Sequence, residues 1–177
     1  MMNTNSAAAQ SGCVVSLHLH PTDPGAPLIS VDAIDVLAGQ GIAGEPRYFG
    51  RVNQSTGRPN RRQISLIERE QIAQHARALG LEIIPPGAVR ANIETRGLDL
   101  ISLVGQQIEI GAAVLLLYEP RKPCQKMDAV CGGLRALMEN RRQGVMAEVT
   151  RSGRIRVNDP IRFRKTAASD PDSSRGP

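Results

Sequence analysis

The regular spacing of short strand-like runs is the feature of this sequence that most restricts its fold. Runs of apolar and β-branched residues are separated by Gly, Pro, Asn and Asp turn signals roughly every 8–12 residues. The runs that predict strands are 13–19, 28–37, 106–110, 113–118, 145–150, 155–157 and 161–164. A parallel nucleotide-binding sheet would need regular alternation of strands and helices, which the sequence lacks. We therefore predict a mainly β fold with some α+β character, a closed or nearly closed β-barrel with about two helices packed on its outside or ends.

Two segments interrupt the strands with helical patterns. Ser65, followed three residues later by Glu68, forms a capping-box pattern that predicts a helix over 66–79. The apolar face of that helix consists of residues at helical spacing, Ile72, Ala76 and Leu79. Asp128 is a candidate N-cap for a second helix running to Gln143, although a pair of glycines disfavours helix in its first turn.

Length and composition predict one domain and limit its partners. A chain of 177 residues with 41% hydrophobic content can bury a core without disulfides or structural metal. Small and polar residues at both ends predict flexible segments over 1–11 and 165–177, which leaves a domain over 12–164. Aromatic residues make up 2% of the chain, so stacking surfaces for single-stranded nucleic acid are scarce. The sequence has no membrane-spanning apolar run and no secretory pattern, so we expect a cytoplasmic location.

The net charge of +5 is concentrated in one irregular segment. Five arginines and no acidic residue lie in a stretch rich in Gly, Pro, Asn and Ser, namely Arg47, Arg51, Arg58, Arg61 and Arg62. Two interpretations remain open on charge alone. The segment is either a solvated basic loop or a pocket for phosphate or carboxylate groups, which guanidinium forks bind through two parallel hydrogen bonds.

Cys124 is the residue best suited to chemistry. It follows an apolar strand and lies among three cations, Arg121, Lys122 and Lys126, with Pro123 directly before it. Neighbouring positive charge favours a thiolate, which is the nucleophilic and metal-binding form of cysteine. On local sequence alone, Cys124 is either a reactive thiol or a small packed residue at a junction between loop and helix.

The other cysteines and the histidines predict no site. Cys13 and Cys131 are interpreted as packed residues, and three cysteines without C-x-x-C spacing predict neither a disulfide framework nor a zinc centre. His18 and His20 share one face of the first predicted strand, where we expect an edge-strand surface rather than a metal site. His75 points away from the apolar face of its predicted helix, and we expect it to be solvated.

A series of short motifs is more specific in its order and spacing than any one motif alone. In chain order they are Gly41-Ile42-Ala43-Gly44-Glu45-Pro46-Arg47, Arg62-Gln63-Ile64-Ser65-Leu66-Ile67, Pro86-Gly87-Ala88-Val89-Arg90-Ala91-Asn92-Ile93, Gly97-Leu98-Asp99-Leu100, Gly105, Ile110-Gly111, Pro120-Arg121-Lys122-Pro123-Cys124, Gly144-Val145-Met146-Ala147 and Asn158-Asp159-Pro160. With these motifs the chain resembles the MOSC family over about residues 30–164. That family comprises the C-terminal module of molybdenum cofactor sulfurases and small stand-alone bacterial proteins.

The resemblance implies a barrel-like fold and a cysteine, here Cys124, that carries sulfur or ligates molybdenum in a pterin cofactor. The positions that match the family's motifs and would contact the anionic cofactor are Arg47, Arg62, Arg90 and Asn92, to which the cations Arg121 and Lys122 are added beside the cysteine. Some relatives use this cofactor to reduce N-hydroxylated compounds such as bases or amidoximes. The sequence has no flavin or iron–sulfur motif, so reduction implies a separate electron donor protein.

The chain departs from the family pattern at two places. Where the family usually has Gly-Asp-Arg-His, this chain has Gly44-Glu45-Pro46-Arg47-Tyr48, without a histidine, and where many members have Glu-Asn it has Ala91-Asn92. The family is also associated with pyridoxal phosphate enzymes by distant fold similarity, but no lysine here lies in a motif that indicates a Schiff base.

Two alternative functions remain open beside cofactor-dependent reduction. The first is a sulfur carrier in which Cys124 holds a persulfide received from a sulfur donor protein. The second is a module that binds small anions without catalysis and in which the cysteine is structural. The sequence determines neither the substrate nor the oligomeric state.

Overall fold

Strands dominate the computed structural model, which describes residues 11–164. In chain order they are β1 (Ser11–Leu19), β2 (Ile29–Val31), β3 (Ala33–Leu37), β4 (Gly41–Ile42), β5 (Ile64–Glu68), β6 (Ile93–Arg96), β7 (Gln107–Ile110), β8 (Ala113–Pro120), β9 (Val145–Arg151), β10 (Gly153–Arg156) and β11 (Pro160–Arg164). The α-helices of the described range are α1 (Arg69–Ala78) and α2 (Leu134–Leu137), and a 3₁₀ helix spans Gln125–Met127. The prediction of a mainly β fold with about two helices is confirmed.

Seven of these strands close into a barrel. They are hydrogen-bonded in the order β11, β7, β8, β9, β5, β6 and β1, and β1 pairs with β11 to complete the ring. Neighbouring strands are antiparallel except β5 and β6, which run parallel. β2 is added to β1 outside the ring, and β10, β3 and β4 form a separate three-stranded sheet.

Aliphatic side chains fill the interior of the barrel. Because side chains alternate between the two faces of a strand, the core takes every second residue from most strands. The fully buried members include Val14, Ile64, Leu66, Ile93, Ile108, Ile110, Leu115, Leu117, Val145, Ala147 and Ile161. The buried members of this cluster are all aliphatic, which agrees with the scarcity of aromatic residues in the sequence.

A second apolar cluster lies between the barrel and the helices. Ile67 at the end of β5 packs with Ile72 and Ala76 of α1, and Met127 and Leu134 from the later helices join the same cluster. Helix α1 contacts both β5 and β6. This outer layer supports the segments that follow β8, which carry the predicted reactive cysteine.

The boundaries of both predicted helices need correction. Ser65 does not cap a helix but lies within β5, where its hydroxyl hydrogen-bonds to Asn92, and helix α1 begins at Arg69. A helix from Asp128 to Gln143 is wrong: this segment contains only α2, whose N-cap Gly133 adopts a left-handed backbone with φ of 87°. The left-handed Gly133 therefore delays the start of the helix, and left-handed backbone at Asn140 and Arg141 follows its end.

Three further expectations differ from the structure. The predicted strand 28–37 is two strands, β2 and β3, which belong to different sheets. His18 and His20 are not on an exposed edge, since only 1% and 4% of their surfaces are accessible. His75 is also buried, and its Nε2 lies 2.8 Å from the backbone oxygen of Arg142. The segment that contains Arg142 covers the side of α1 that the helical pattern predicts to face solvent.

The predicted flexible ends lie almost wholly outside the described residues. Residues 1–10 and 165–177 are not described, whereas Ser11, the last residue of the predicted N-terminal segment, begins β1. In the range 11–164, none of the helices has the length and apolar character required to cross a membrane.

Candidate functional site

The candidate site is built on the outer face of two barrel strands. Ile64 and Leu66 of β5 point into the barrel, so alternation directs Ser65 between them outward. Met146 of β9 is the register partner of Ser65 and likewise lies outside the barrel core. Ser65 and Met146 therefore form part of the floor of a cleft on the barrel surface.

The cleft has two adjoining chambers, which we call the inner and the outer chamber. The inner chamber has a volume of about 110 Å³ and the outer chamber about 470 Å³. The residues that line both are His20, Arg47, Tyr48, Arg62, Arg90 and Lys126. The inner chamber is completed by Ser65, Arg121, Lys122, Cys124, Met127, Gln143 and Met146, and the outer chamber by Pro21, Thr22, Pro24, Pro46 and Arg51.

The structure brings six of the seven predicted site residues together. These are Arg47, Arg62, Arg90, Arg121, Lys122 and Cys124, all of which line the inner chamber. They come from four separate chain segments: the loop after β4, the approach to β5, the approach to β6 and the segment after β8. No carboxylate of the described range lines either chamber, so the cations face the cleft without a neutralising acid on its surface.

Arg121 is the most firmly held of these cations. Its guanidinium donates hydrogen bonds to the backbone oxygens of Gln143, Val89 and Arg90, at 3.2 to 3.3 Å. Desolvation within the protein lowers the pKa of Arg121 to about 10, a value at which it is still charged near neutral pH. Carbonyl partners fix the position of the guanidinium without cancelling its charge, which suits it to binding an anion.

Arg90 has an unusual backbone and an unsatisfied side chain. Its φ of 58° lies in the left-handed region, which non-glycine residues seldom adopt and which costs free energy on the order of 1–3 kcal/mol. One guanidinium nitrogen donates to the backbone oxygen of Ala26 at 3.0 Å, whereas the buried Nε has no protein partner among the described residues. Desolvation, followed by the charge of Arg47, lowers the pKa of Arg90.

Cys124 is exposed, so it is not the small packed residue that the local sequence allowed as an alternative. It occupies the N-cap position of the 3₁₀ helix with an extended backbone, and its backbone oxygen accepts a hydrogen bond from Met127 at 3.0 Å. Arg90 and Arg121 are both close enough to interact electrostatically with its thiol. The thiol therefore lies at a chamber surface among fixed positive charges, where it is accessible to a ligand.

Asn92 is not brought together with the other predicted residues. It is fully buried, and its side-chain oxygen accepts hydrogen bonds from the backbone nitrogen and hydroxyl of Ser65 at 3.1 and 2.9 Å. Its amide nitrogen donates to the backbone oxygen of His18 at 3.2 Å. The asparagine thus links β5 with the end of β1 beneath the cleft, and the contact with a cofactor stays a prediction.

His20 and Tyr48 line the cleft, with Glu45 behind them, and the sequence analysis did not predict any of the three as site residues. The Nδ1 atom of His20 lies 2.9 Å from a carboxylate oxygen of Glu45, which is 1% exposed. The ring of His20 meets Tyr48 edge-on at 5.8 Å between centroids, and the guanidiniums of Arg47 and Arg62 lie 5.1 and 5.7 Å from the Tyr48 ring centre. The acidic residue of the Gly44-Glu45-Pro46-Arg47 motif could have indicated a site residue. Its partner His20 directly follows β1 and is distant in the sequence.

Gln143 is another cleft residue that the sequence analysis did not predict, and one polar atom of its side chain is unpaired. The residue is 2% exposed, lines the inner chamber, and has a side-chain oxygen without a partner in the described part of the chain. A buried amide atom left unpaired costs about 1–3 kcal/mol, so such atoms usually meet a ligand or water. The local sequence offers no signal, because Gln143 is preceded by two solvent-exposed arginines in a turn.

The basic segment is only partly a pocket. Arg47, Arg51 and Arg62 line the cleft, which favours the anion-pocket interpretation for these three. Arg61 instead pairs with Glu148 at 2.8 Å and lies 4.3 Å from the ring centre of Tyr118. Burial raises the pKa of that tyrosine to about 12. Arg58 is exposed and lines neither chamber.

The described residues contain no group of three or more His, Cys, Asp and Glu side chains placed to hold a metal ion together. In the inner chamber Cys124 is the residue with a thiol, and half of the other lining residues are cations. The cleft therefore suits an anionic ligand.

Comparison with known proteins gives a family and a fold. A family model described as the MOSC domain matches residues 45–162. Among solved structures, the YuaD protein from Bacillus subtilis is 24% identical with a TM-score of 0.72, covering 86% of this chain and 95% of that one.

Two further structures share the fold. YiiM from Escherichia coli is 18% identical with a TM-score of 0.62, covering 89% of this chain and 72% of that one. YiiM from Geobacillus stearothermophilus is 17% identical with a TM-score of 0.64, covering 89% and 77%. The search of curated proteins gives no significant match.

Proposed function

The chain belongs to the MOSC domain family, and on this premise we propose that its cleft binds the molybdenum cofactor with Cys124 as the thiolate ligand of molybdenum. The observation that carries the proposal is the inner chamber, where one exposed thiol lies among unneutralised cations. Molybdenum accepts soft thiolate ligands, and the cofactor supplies further sulfur ligands itself. A cluster of protein ligands is therefore not required.

The residues of the cleft fit the charge and hydrogen-bonding groups of a phosphorylated pterin. The phosphate is matched by guanidinium forks, of which Arg47, Arg62 and Arg90 are shared by both chambers. The unpartnered Nε of Arg90 and side-chain oxygen of Gln143 supply a buried donor and a buried acceptor for the ligand. The combined chambers offer room beyond the thiol for the organic part of the cofactor.

The activity that we propose is reduction of N-hydroxylated bases or amidoximes. When bound, the cofactor supplies two-electron transfer at molybdenum, and a separate electron donor protein renews the electrons. The protein's own part would be to hold the metal at Cys124, to fix the anionic end through its arginines, and to orient the substrate in the cleft beside Tyr48. Arg121 keeps positive charge beside the thiol because its carbonyl partners hold it in place.

Cofactor analysis of the protein made in a host that synthesises the molybdenum cofactor tests the proposal. We expect about one molybdenum per chain, a fluorescent pterin after oxidative release, and reduction of an N-hydroxylated base when a reduced viologen dye supplies electrons. Protein that lacks both metal and pterin, and does not take them up on reconstitution, would contradict the proposal.

A sulfur carrier is the second candidate function, and the exposure of Cys124 favours it. A persulfide needs an accessible thiol, and surrounding cations stabilise its negative charge. Incubation with a cysteine desulfurase and cysteine should then add one sulfur atom to Cys124, which reductant removes. Mass spectrometry of the intact protein and of the Cys124→Ser variant measures this transfer, and absence of the adduct would exclude it.

A further inference from the structure

His20 occupies a special position in the cleft. It follows β1 directly, is 4% exposed, and nevertheless lines both the inner and the outer chamber. The side chain is therefore buried in the wall and meets the cleft through a small part of its ring. Packing against the edge of Tyr48 limits the rotation of that ring.

Glu45 faces one nitrogen of this ring at close range, without an aligned hydrogen bond. Its carboxylate lies 2.9 Å from Nδ1 of His20, and its two oxygens also accept the backbone N–H groups of Arg47 and Tyr48, at 3.4 and 3.2 Å. A carboxylate fixed in this way keeps its negative charge beside Nδ1 and favours this orientation of the imidazole. The other ring nitrogen, Nε2, has no partner among the described residues and is left for a ligand in the cleft.

The other charged and titratable groups that share the cleft with His20 have different chemistry. They are Arg47, Tyr48, Arg51, Arg62, Arg90, Arg121, Lys122, Cys124 and Lys126, with Glu45 behind the ring. Guanidinium groups stay protonated and do not exchange protons near neutral pH, whereas imidazole is the side chain that does. The cleft thus contains one imidazole, oriented by a carboxylate, within a field of permanent cations.

We propose that His20 is the catalytic proton donor of the cleft and that Glu45 is its positioning residue. This inference rests on the proposed reductase function. Reduction of an N-hydroxylated compound breaks the N–O bond, and the substrate takes up two electrons and two protons to give an amine and water. The reduced donor protein would supply the electrons when the cofactor is bound. Nε2 of His20 gives its proton to the departing oxygen, which leaves as water, and the substrate nitrogen takes the second proton from solvent. His20 is then reprotonated from solvent.

Two variants in the cofactor-loaded protein test this role. His20→Gln keeps a polar side chain of similar length but cannot act as an acid near neutral pH, and we expect kcat to fall about 100-fold with little change in KM. Glu45→Gln removes the orienting charge and should lower kcat about 10-fold and alter the pH profile of kcat. Molybdenum and pterin contents should equal those of the wild type in both variants.

A matched control removes a buried histidine elsewhere. His75 lies on the buried side of α1, bonded to the backbone oxygen of Arg142, and lines neither chamber. His75→Gln should retain the wild-type kcat and pH profile. Full kcat in His20→Gln, or an equal loss in His75→Gln, would overturn the role of His20 and leave the reductase function in place. Loss of cofactor from His20→Gln would also overturn it, because the residue would then serve binding.

A second measurement uses the protein without cofactor. Pyrophosphate binding is followed by calorimetry in buffers of different ionisation enthalpy, which reveals the number of protons taken up with the anion. We expect more proton uptake by the wild type than by His20→Gln, because the anion beside Nε2 favours the charged ring. Equal uptake would count against an accessible Nε2. A loaded wild-type protein that reduces no N-hydroxylated substrate would instead overturn the proposed function and this inference with it.

Discussion

The two faces of β5 and β9 have opposite chemical character. Their inward residues, Ile64 and Leu66 on one strand and Val145 and Ala147 on the other, belong to the aliphatic barrel core. Their outward residues, Ser65 and Met146, belong to the floor of a cleft whose walls are rich in cations. Consecutive residues on each strand therefore face two different environments, the aliphatic barrel core and a strongly charged surface.

The residues that stabilise the fold are therefore different from the residues that line the cleft. Burial of apolar surface in the barrel supplies stability in proportion to area and requires no partner. The cleft instead concentrates features that cost stability, namely cations without carboxylates on its surface, an unpaired buried amide oxygen in Gln143 and a left-handed Arg90. Substitutions on the two sides should therefore have opposite effects on folding and on binding.

The largest effect should come from Cys124→Ser. We expect the loaded protein to lose its molybdenum almost completely, since a serine hydroxyl does not replace the thiolate ligand. The free energy of unfolding should change by less than about 0.5 kcal/mol, because the side chain is exposed. Metal analysis and urea unfolding measure the two quantities. Cys131→Ser, outside the cleft, is the control, and equal metal loss in both variants would contradict the assignment.

Leu115→Ala should produce the reverse result. Leu115 is fully buried in the barrel, so its truncation should lower the free energy of unfolding by about 2–5 kcal/mol. The fraction that remains folded should still bind cofactor. Leu116→Ala, at the next position and facing away from the core, should cost less. Similar costs for the two variants in urea unfolding would contradict the separation of the two faces.

Arg121→Lys should have an intermediate effect on binding. Lysine keeps the charge but cannot maintain the three bonds to the backbone oxygens while presenting a fork to an anion. We expect pyrophosphate to bind about 10-fold more weakly in calorimetry. Arg154→Lys, at an exposed arginine on β10 that pairs with Asp35, should leave the affinity unchanged. An unaltered affinity in Arg121→Lys would show that the charge alone matters.

The smallest effect should be a dependence of stability on pH. Desolvation lowers the pKa of His75, so the folded state binds this proton less readily than the unfolded state does. Stability from this group is therefore present above the ordinary histidine pKa of about 6.5 and is lost as the pH falls below it. His75→Gln should reduce the slope of stability against pH between about 7.5 and 5.5 in urea unfolding. An unchanged slope would assign it to other groups, of which His18 is the first candidate, since burial also lowers its pKa.

The sequence predicts the barrel because its signals are local. The hairpin of β7 and β8 is confirmed within a few residues, since Gly111 supplies the turn between two runs of β-branched and aliphatic residues. The error at Ser65 arose because β5 passes directly into α1 without a loop, so a strand residue occupied the expected cap position. Pattern analysis cannot separate a short buried strand from the first turn of a helix.

The candidate site was predictable where its residues carry a charge or a thiol within a motif. Arg47, Arg62 and Cys124 are examples, and the structure brings them together. The pairing of His20 with Glu45 was not predictable, because it depends on how β1 and the loop after β4 meet in space. Asn92 shows that a motif position does not by itself predict a ligand contact. Its polar side chain forms hydrogen bonds to the barrel strands instead.

The closure of the barrel by β1 and β11 has a consequence for synthesis on the ribosome. Gly12 pairs with Ile161 and Cys13 with Pro160, so the ring joins strands from opposite ends of the described range. While the chain emerges, β1 and β7 each lack the neighbour that β11 later provides. Unpaired strand edges are sites of aggregation. A nascent chain that stalls before β11 should therefore expose both edges, and its protection until release would fall to chaperones.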